Sequence, residues 1–350
     1  MSTTLSRFTY TPGHSRVVSA GVYLPENRVT STEVMEQVDS VERFGLAHDW
    51  LERLTGISER RVAPHDMLPS DMAARAAMEA LERGAINPRE IDALIFAGVI
   101  RDHMLEPSTA HIVQAKIGAD NATVFDVNNA CLGFMTGMHL MDALIATGQV
   151  RRGLVVCGEQ GYQFTRKAYA AINQTMARDA FNKLVAGLTL GDAGAAMVLG
   201  PKLDPDTGFM GYASHSRGQH AALCTCGNPT EESPLYTDMT AIIGESEKLV
   251  TDVFYELMGR LNWRARELSK YIVHQVGTKI FKLYAKNMHV PVGIMPNTVS
   301  TLGNIITATI PVNLYRLIVN NDVEDGQKVV LSGAGSGICT DQAGLIWRAA

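Results

Sequence analysis

Long apolar runs, surplus basic charge and cysteine are all scarce in this sequence. No unbroken apolar stretch approaches the length of a membrane span, and the N-terminus, MSTTLSRFTYTPGHSRVV, lacks the apolar segment of a secretion signal. The 31 Lys and Arg residues against 36 Asp and Glu give a net charge of −5, unlike that of a nucleic-acid or anionic-membrane binder. Five cysteines, an odd number in 350 residues, argue against a disulfide scaffold. We therefore expect a cytoplasmic protein without nucleic-acid or membrane partners.

The apolar content is high enough for a large core. Hydrophobic residues make up 46% of the sequence and charged residues 19%, which excludes the disordered and coiled-coil classes. A chain of 350 residues corresponds to about two domains or to one large α/β unit. Strand patterns alternate with helix patterns throughout, which indicates α/β layers with a mixed or mostly parallel sheet.

An internal repeat divides the chain. REIDALI, from Arg89, and RELSKYI, from Arg266, lie 177 residues apart, and each follows a helix pattern and leads into an apolar strand pattern. Downstream, TVFDVNNACLGF corresponds to VSTLGNIITATIP, and GLVVCGE corresponds to KVVLSGAG. A period near half the chain indicates duplication rather than a solenoid. We predict an N-terminal half over residues 1–200 and a C-terminal half over residues 201–350.

Chance similarity between two αβ units is the alternative to duplication. We favour duplication because three segments keep the same order and nearly the same offset. Two less regular stretches, about residues 160–186 and 208–245, lie between the repeated blocks. They are candidates for substrate-covering or dimer-forming insertions.

Cys131 is the strongest candidate for a nucleophile. It follows the strand pattern of residues 123–127 and precedes a helix pattern that Gly148 ends. A thiol at a first helical turn lies near unpaired N–H groups and the positive end of the dipole, which favours the thiolate. The same N–H groups can hold the oxyanion of a thioester under attack. The alternative is an inert buried cysteine, which is our interpretation of Cys157 in GLVVCGE.

The second half supplies two polar candidates at matching positions. His274 ends the apolar strand pattern YIVHQVG, and Asn304, in LGNIITATIP, lies at nearly the duplicated position of Cys131. A pseudo-twofold axis would bring the two helix starts together. Taken alone, such a histidine is more often a strand-end residue, and such an asparagine a cap or turn residue. The duplication raises both as catalytic candidates.

Other patterns that carry chemistry are incomplete. LSGAGSGIC, which ends at Cys339, lacks the spacing of a dinucleotide fingerprint and is typical of a tight turn whose N–H groups face a site. Cys224 and Cys226 form a C-x-C with no second pair at zinc spacing. Neither a G-x-S-x-G elbow nor a P-loop lysine motif is present. We therefore expect no metal and no bound cofactor.

As a set, these motifs resemble the thiolase superfamily and, within it, the ketoacyl-ACP synthase III branch. The resemblance covers nearly the whole chain, from about residue 16 to residue 347. The matching features are NACLGF around Cys131, HQ at His274, Gly-Asn at 303–304, GSG at 335–337 and TGISERRV from Thr55.

This resemblance implies an α/β thiolase-like fold, with two duplicated halves in a five-layered αβαβα arrangement. It implies an acyltransferase with Cys131, His274 and Asn304 as catalytic residues. The backbone N–H groups of Cys131 and Ser336 are then expected near the oxyanion. The substrates are coenzyme A thioesters, and the protein is expected to be a homodimer.

A finer resemblance concerns one sub-branch. RDHMLEPSTAHIV, from Arg101, and LTLGDAGAAMV, from Leu188, are similar to the OleA family, which joins two acyl-CoA chains head to head in bacterial olefin biosynthesis. In that family a glutamate before Pro-Ser reaches across the dimer towards the partner's cysteine, and Glu106 has this position. On the residues alone, Glu106 is more often a solvated loop carboxylate.

The resemblance to OleA implies a non-decarboxylative Claisen condensation of two fatty acyl-CoA molecules. Cys131 would carry the first acyl group as a thioester. Glu106 of the partner would remove the α-proton of the second acyl-CoA, and His274 and Asn304 would hydrogen-bond the enolate oxygen. The expected product is a 2-alkyl-3-ketoacyl compound.

Three positions depart from the ordinary ketoacyl synthase III pattern. Gly277 stands where that branch has the asparagine of HQAN, Leu54 where it commonly has an arginine against the adenine of CoA, and Ser336 where it has a glycine. These departures favour the OleA sub-branch. A decarboxylative synthase that uses an acyl-CoA primer and malonyl-ACP is the second candidate. A non-catalytic partner subunit of a heterodimer is the third.

Overall fold

The structure is a computed structural model that describes residues 8–226 and 234–349. Residues 1–7 begin the segment that was inspected for a secretion signal, and residues 227–233 belong to the second irregular stretch. Both segments and residue 350 lie outside the described residues.

The strands of the described part alternate with helices along the chain, as the patterns predict. Strand β7 is buried along nearly its whole length, which is typical of a strand covered on both faces. The strands are β1 Thr9–Pro12, β2 Ser15–Tyr23, β3 Arg28–Thr30, β4 Glu59–Arg61, β5 Ala93–Phe96, β6 Thr123–Asp126, β7 Gly153–Gln160, β8 Asp192–Pro201, β9 Gly208–Ser216, β10 Cys224–Thr225, β11 Tyr236–Thr237, β12 Leu268–Val273, β13 Lys328–Gly335 and β14 Cys339–Ile346.

Helix ends follow the local signals. Gly148, at a φ of 73°, lies two residues beyond α6, as its position in the sequence predicts. The α-helices are α1 Ser31–Glu36, α2 Ser40–Phe44, α3 Trp50–Thr55, α4 Pro69–Arg83, α5 Thr109–Ile117, α6 Gly133–Ala146, α7 Tyr162–Asn173, α8 Arg178–Leu184, α9 Met239–Leu261, α10 Lys279–Met288, α11 Val299–Leu302 and α12 Thr309–Val319. Short 3₁₀ helices span Pro88–Glu90, Val185–Thr189, Gly218–Leu223, Ala265–Glu267, Val292–Ile294 and Ile306–Ala308.

Two five-stranded sheets repeat one topology, which confirms the duplicated thiolase-like fold. The first sheet has the order β2-β8-β7-β5-β6, with β8 antiparallel to β2 and β7 and with β5 parallel to β6 and β7. The second has the order β1-β9-β14-β13-β12, with β14 antiparallel to β9 and β13 and with β12 parallel to β13. Strands β9, β14, β13 and β12 thus correspond to β2, β8, β7 and β5.

The N-terminal strand complicates a division at residue 200. Strand β1 pairs antiparallel with β9 and therefore extends the second sheet, although it precedes the whole first sheet in the chain. The proposed boundary itself lies at the end of β8, one residue before Pro201. The division into halves 1–200 and 201–350 stays a prediction.

Helices form three layers around the two sheets. Helices α6 and α12 lie between the sheets and share one buried cluster with both of them, including Met138, Leu314, Val155 and Leu331. Helices α4 and α5 cover the outer face of the first sheet. Helices α9 and α10 cover the outer face of the second. The result is the five-layered αβαβα arrangement.

The two irregular stretches differ from expectation in part. The stretch 160–186 contains α7 and α8, which pack against α1 and α3 in a separate apolar cluster around Phe181. The stretch 208–245, by contrast, begins with the regular strand β9, so its interpretation as an insertion from residue 208 is wrong. The sequence GFMGYASHS lacks a clear alternation of apolar and polar residues, so the pattern did not indicate β9, which pairs with both β1 and β14. Among the described residues, no helix is long and apolar enough to cross a membrane.

Asp142 ties the central layer to the first sheet. This buried carboxylate on α6 accepts hydrogen bonds from the backbone N–H groups of His14 (2.9 Å) and Ser15 (2.7 Å) and from the Ser15 hydroxyl. Asp142→Ala would leave these donors buried without an acceptor, so we expect a loss of about 2–4 kcal/mol in the free energy of unfolding. Asp120→Ala, at an exposed ion pair with Arg89, should change it by less than about 1 kcal/mol. Denaturant unfolding of both variants measures the difference, and equal effects would contradict it.

Candidate active site

Cys131 lies in a tight turn between β6 and α6. The Leu132 N–H donates to the Asn129 carbonyl (3.0 Å), and the Gly133 N–H donates to the Ala130 carbonyl (2.9 Å). Ala130 has a φ of 46°, in the left-handed region that few non-glycine residues adopt. The turn holds Cys131 two residues before the first residue of α6 rather than within its first turn.

Glycine at position 133 lets this turn approach the first sheet. A Cβ atom there would lie 2.3 Å from the Ala97 carbonyl oxygen, which no real Cβ tolerates, and 3.3 Å from the Thr307 methyl carbon. The turn that holds Cys131 is therefore pressed between the end of β5 and the segment that precedes α12.

The surroundings of Cys131 are apolar. Its partly buried side chain packs with a small cluster whose members come from both halves of the chain. Such a lining suits an acyl chain. The cluster contains buried Ile100, Leu190 and Ile306 and partly buried Val99, Phe164 and Leu235.

Burial opposes the ionisation expected for Cys131. It raises the pKa of the thiol far above its ordinary value, and nearby Cys224, Glu159 and Cys339 raise it further. Desolvation of the charged form thus acts against the helix end and the backbone donors, which favour a thiolate. The role of Cys131 as a nucleophile stays a prediction.

His274 directly follows β12 and is buried, with 7% of its surface exposed. Its backbone N–H donates to the Ser332 carbonyl on β13 (2.9 Å), while neither ring nitrogen has a hydrogen-bond partner in the described structure. Burial lowers the pKa of His274 to about 4, so the ring is neutral at physiological pH. A neutral imidazole offers one donor and one acceptor to a substrate.

Gln275 fixes the end of the strand that carries His274. Its Oε1 accepts from the N–H groups of Thr298 and Val299, both at 3.0 Å, and its Nε2 donates to the Pro296 carbonyl (2.8 Å). This fully buried side chain thus joins β12 to the segment that leads into α11. Among the described residues the ring of His274 thus has no hydrogen-bond partner, whereas both the oxygen and the nitrogen of the adjacent Gln275 amide form hydrogen bonds.

Asn304 is held with its amide in a defined orientation. Its backbone N–H donates to the Thr189 carbonyl (2.9 Å), and its carbonyl accepts from the Gly191 N–H (3.1 Å). Its Oδ1 accepts from the Ile306 N–H (3.0 Å), so the side-chain NH₂ group remains available as a donor. Because Ile306 also belongs to the cluster around Cys131, Asn304 and Cys131 share one neighbourhood.

The turn that contains Ser336 joins β13 to β14 and lies against the Cys131 turn. A Cβ atom at Gly335 would be 3.4 Å from both the Asn129 carbonyl oxygen and the Leu132 Cβ. Since His274 follows the strand that neighbours β13, it lies at the same carboxyl edge of the second sheet. The structure therefore places Cys131, Asn304 and the Ser336 turn close together, with His274 at the end of the strand next to β13.

Glu106 lies apart from this group within its own chain. It is exposed on the loop between β5 and α5, next to Met104 (63% exposed) and Leu105 (87% exposed). The base of the loop is firmly held, because Asp102 accepts from the Ser70 N–H (2.9 Å) and Asp126 accepts from the Ala110 N–H (2.8 Å). Its role in the site of a partner subunit stays a prediction.

Sequence reasoning missed Glu159, a fully buried carboxylate at the end of β7. It accepts from the Val99 N–H (3.0 Å) and from the hydroxyl of Thr307. Burial raises the pKa of Glu159 to about 7. The available signal was a lone acidic residue ending the otherwise apolar strand GLVVCGE, at the edge where Cys131 also lies.

Two further features of the structure concern metal ligands and a surface cleft. In the part of the chain that the structure describes, no set of three or more His, Cys, Asp or Glu residues is arranged to hold a metal ion. Cys224 is instead paired through its thiol with the Thr237 hydroxyl at 3.6 Å. A surface cleft of about 650 Å³, lined by Arg16, Arg151 and Lys202, lies at the opposite end of the first sheet.

Comparisons with known proteins agree over most of the chain. Residues 125–218 match the family model of 3-oxoacyl-[acyl-carrier-protein] synthase III, and residues 258–347 match that of its C-terminal part. An acyl-CoA:acyl-CoA alkyltransferase of Xanthomonas campestris pv. campestris is 33% identical over 330 residues, which cover 91% of this chain and 94% of that protein. A β-ketoacyl-[acyl-carrier-protein] synthase III of Laribacter hongkongensis is 27% identical, covering 94% of this chain and 98% of that protein.

Solved structures of Xanthomonas campestris OleA are also similar. A variant with one glutamate replaced by alanine has a TM-score of 0.90 at 30% identity, covering 96% of this chain and 98% of that chain. A variant with one cysteine replaced by serine, with bound lauric acid and lauroyl-CoA, has a TM-score of 0.90 at 30% identity, covering 96% and 100%. A third, with one histidine replaced by alanine, has a TM-score of 0.89 at 30% identity, covering 95% and 98%.

The raised pKa of Cys131 predicts how the thiol responds to pH. Between pH 8 and pH 9.5 its alkylation by iodoacetamide should accelerate about tenfold per pH unit without a plateau, because the rate follows the small thiolate fraction. Mass spectrometry of the peptide that contains Cys131 measures this rate separately from that of exposed Cys226. A Cys131→Ser variant checks the peptide assignment. A plateau below pH 8 would contradict the expectation.

Proposed function

Since the chain belongs to the 3-oxoacyl-ACP synthase III family, with the thiolase fold and acyltransferase chemistry of that family, we propose that it condenses two fatty acyl-CoA molecules without decarboxylation. The observation that carries this proposal is that three of the predicted catalytic residues are buried or partly buried, whereas the fourth, Glu106, is exposed. Cys131 shares an apolar cluster with Ile306, whose N–H donates to Asn304. The ring of His274, which has no hydrogen-bond partner in the described structure, is buried at the end of β12. The predicted base, Glu106, by contrast lies on a loop with exposed apolar neighbours.

The comparisons support this choice of reaction. The Xanthomonas campestris relative is an acyl-CoA:acyl-CoA alkyltransferase, and one of the similar OleA structures holds lauroyl-CoA. The substituted OleA structures replace one cysteine, one glutamate or one histidine. These residue types are the ones that we assign to Cys131, Glu106 and His274.

The first half-reaction loads Cys131. Its sulfur attacks the thioester carbon of the first acyl-CoA, and its proton passes to the acceptor nitrogen of neutral His274. The C–S bond to coenzyme A breaks, and the departing thiolate takes that proton, so that His274 is neutral again. The backbone N–H groups of Cys131 and of the Ser336 turn stabilise the oxyanion. The products are acyl-Cys131 and free coenzyme A.

The second half-reaction forms the carbon–carbon bond. Glu106 of the partner removes an α-proton from the second acyl-CoA, because no decarboxylation supplies the carbanion. The N–H of His274 and the NH₂ of Asn304 donate to the enolate oxygen. The enolate carbon attacks acyl-Cys131, and the C–S bond to Cys131 breaks. The proton held by Glu106 restores the thiol, and a 2-alkyl-3-ketoacyl-CoA is released.

A homodimer is part of the proposal. Met104 and Leu105, both large and highly exposed, flank Glu106 on a loop whose base is anchored. Burial of these side chains against a second copy would bring Glu106 to the site of the partner subunit. An isologous contact would supply two such loops per dimer.

Decarboxylative condensation is the second candidate. The Laribacter hongkongensis relative, a β-ketoacyl-[acyl-carrier-protein] synthase III, and the family model favour it. In that reaction malonyl-ACP supplies its own carbanion, so Glu106 would have no proton to remove. The two candidates therefore differ in their dependence on Glu106.

Replacement of Glu106 separates the two half-reactions. We expect Glu106→Ala to form acyl-Cys131 at close to the wild-type rate but to lose condensation by about a hundredfold or more. Intact-protein mass spectrometry measures acylation, and mass spectrometry of the ketoacyl product measures condensation. His103→Ala, an exposed change on the same loop, is the matched control. Undiminished condensation in Glu106→Ala would remove this residue from the mechanism.

Mixed dimers test whether Glu106 acts across the interface. A mixed dimer contains one Cys131→Ser protomer and one Glu106→Ala protomer. It keeps one complete site, in which the Glu106→Ala protomer supplies Cys131 and the Cys131→Ser protomer supplies Glu106. If the two inactive variants are mixed and allowed to exchange subunits, condensation should return to about a quarter of the wild-type rate, as random pairing dictates. No recovery in mixed dimers verified by mass would show that Glu106 does not act in trans.

A further inference from the structure

Glu159 is a carboxylate that the proposed reaction does not use, although it binds the backbone of Val99 and Ile100, which pack with Cys131. It is completely buried near the end of β7. The neighbouring Gly158 packs against helix α4 so closely that a Cβ atom there would lie 1.9 Å from the Pro69 carbonyl oxygen. This strand end cannot shift outward, so the carboxylate has a fixed position.

The hydrogen bonds of Glu159 join two functional segments. Its Oε1 accepts from the Val99 N–H (3.0 Å), and its Oε2 accepts from the Ile100 N–H (3.4 Å), at the base of the loop that carries Glu106. Its Oε1 also accepts from the hydroxyl of Thr307, three residues after Asn304. One side chain thus spans the base of the Glu106 loop and the segment that orients Asn304.

The hydrogen-bond donors around Glu159 suit a carboxylate better than an amide. Backbone N–H groups and a hydroxyl surround both oxygens, and a carboxylate accepts from all of them, whereas a glutamine must turn an NH₂ group towards at least one donor. Because both oxygens are occupied and the side chain has no exposed surface, Glu159 is unsuited to take a proton from substrate.

Glu159 lies close to Cys131, because it binds the N–H groups of Val99 and Ile100, which pack with Cys131 in one cluster. Among the described residues, the titratable groups whose pKa the carboxylate raises are the thiols of Cys131 and Cys157, in line with repulsion between like charges. Burial raises the pKa of Glu159 itself to about 7, against the effect of its hydrogen bonds. Its charge is therefore present above neutral pH and fades below it.

We propose that Glu159 is a positioning residue, which fixes the Glu106 loop relative to Asn304 and whose negative charge disfavours the thiolate of nearby Cys131. The first part rests on the proposed function, because it concerns the assembly of the condensation site. The second part concerns Cys131 alone and holds for any acyltransferase chemistry at this thiol.

The test uses Glu159→Gln and Glu159→Asp in the full-length protein. Glu159→Gln removes the charge, so alkylation of Cys131 by iodoacetamide at pH 8.5 should rise severalfold, and the two proteins should converge at pH 6, where wild-type Glu159 is protonated. Its condensation rate should fall at least tenfold relative to acylation of Cys131. Local loss of structure would expose Cys131 and raise its alkylation at both pH values, so an increase at pH 8.5 that is absent at pH 6 identifies loss of the charge.

Glu159→Asp separates charge from position. It keeps the charge but shortens the side chain, so alkylation of Cys131 should match the wild type while condensation falls relative to acylation. Glu82→Gln, an exposed charge removal on α4, is the matched control and should change neither rate. Thermal unfolding of each variant verifies folding.

The outcomes distinguish this proposal from the proposed function. Unchanged alkylation together with an unchanged ratio of condensation to acylation in Glu159→Gln would overturn the role of Glu159. If the wild-type protein does not condense acyl-CoA, the proposed function fails, and the alkylation profiles still decide whether Glu159 controls Cys131. If Glu159→Gln does not fold, equal condensation-to-acylation ratios in Glu159→Asp and the wild type would overturn the positioning role.

Discussion

Burial of ionisable groups between the two sheets is the constraint on which the site depends. Desolvation penalises charge, so it raises the pKa of the Cys131 thiol, lowers the pKa of His274 to about 4 and raises the pKa of Glu159 to about 7. Burial therefore favours a neutral thiol at Cys131 and a neutral imidazole at His274. Negative charge that develops on a thioester or enolate oxygen then meets fixed donors in a medium that screens them poorly.

The duplicated fold supplies this burial. The carboxyl ends of corresponding strands from both halves converge, so the first half contributes Cys131 and Glu159 and the second contributes His274 and Asn304. Helices α6 and α12 fill the space between the two sheets and pack with both of them in one buried cluster. Glu106 lies on an exposed loop beside Met104 and Leu105, and the proposed mechanism therefore assigns it to the site of a second subunit.

The repeat and the motif residues could be predicted because they depend on local pattern. REIDALI and RELSKYI lead into the corresponding strands β5 and β12, as the offset between them predicts. The pairing of β1 with β9 could not, because it joins residues some 200 positions apart with no distinctive sequence signal. The raised pKa of Cys131 and the hydrogen bonds of Glu159 could not be predicted from the sequence either, because they arise from desolvation and contacts that exist only after the halves pack.

Product analysis of the purified protein distinguishes the two candidate reactions. A long-chain acyl-CoA is supplied alone or together with malonyl-ACP, and free coenzyme A and ketoacyl products are followed by mass spectrometry. We expect a ketoacyl product with two acyl chains from acyl-CoA alone. A product that forms only when malonyl-ACP is present would contradict head-to-head condensation and place the protein among the decarboxylative synthases.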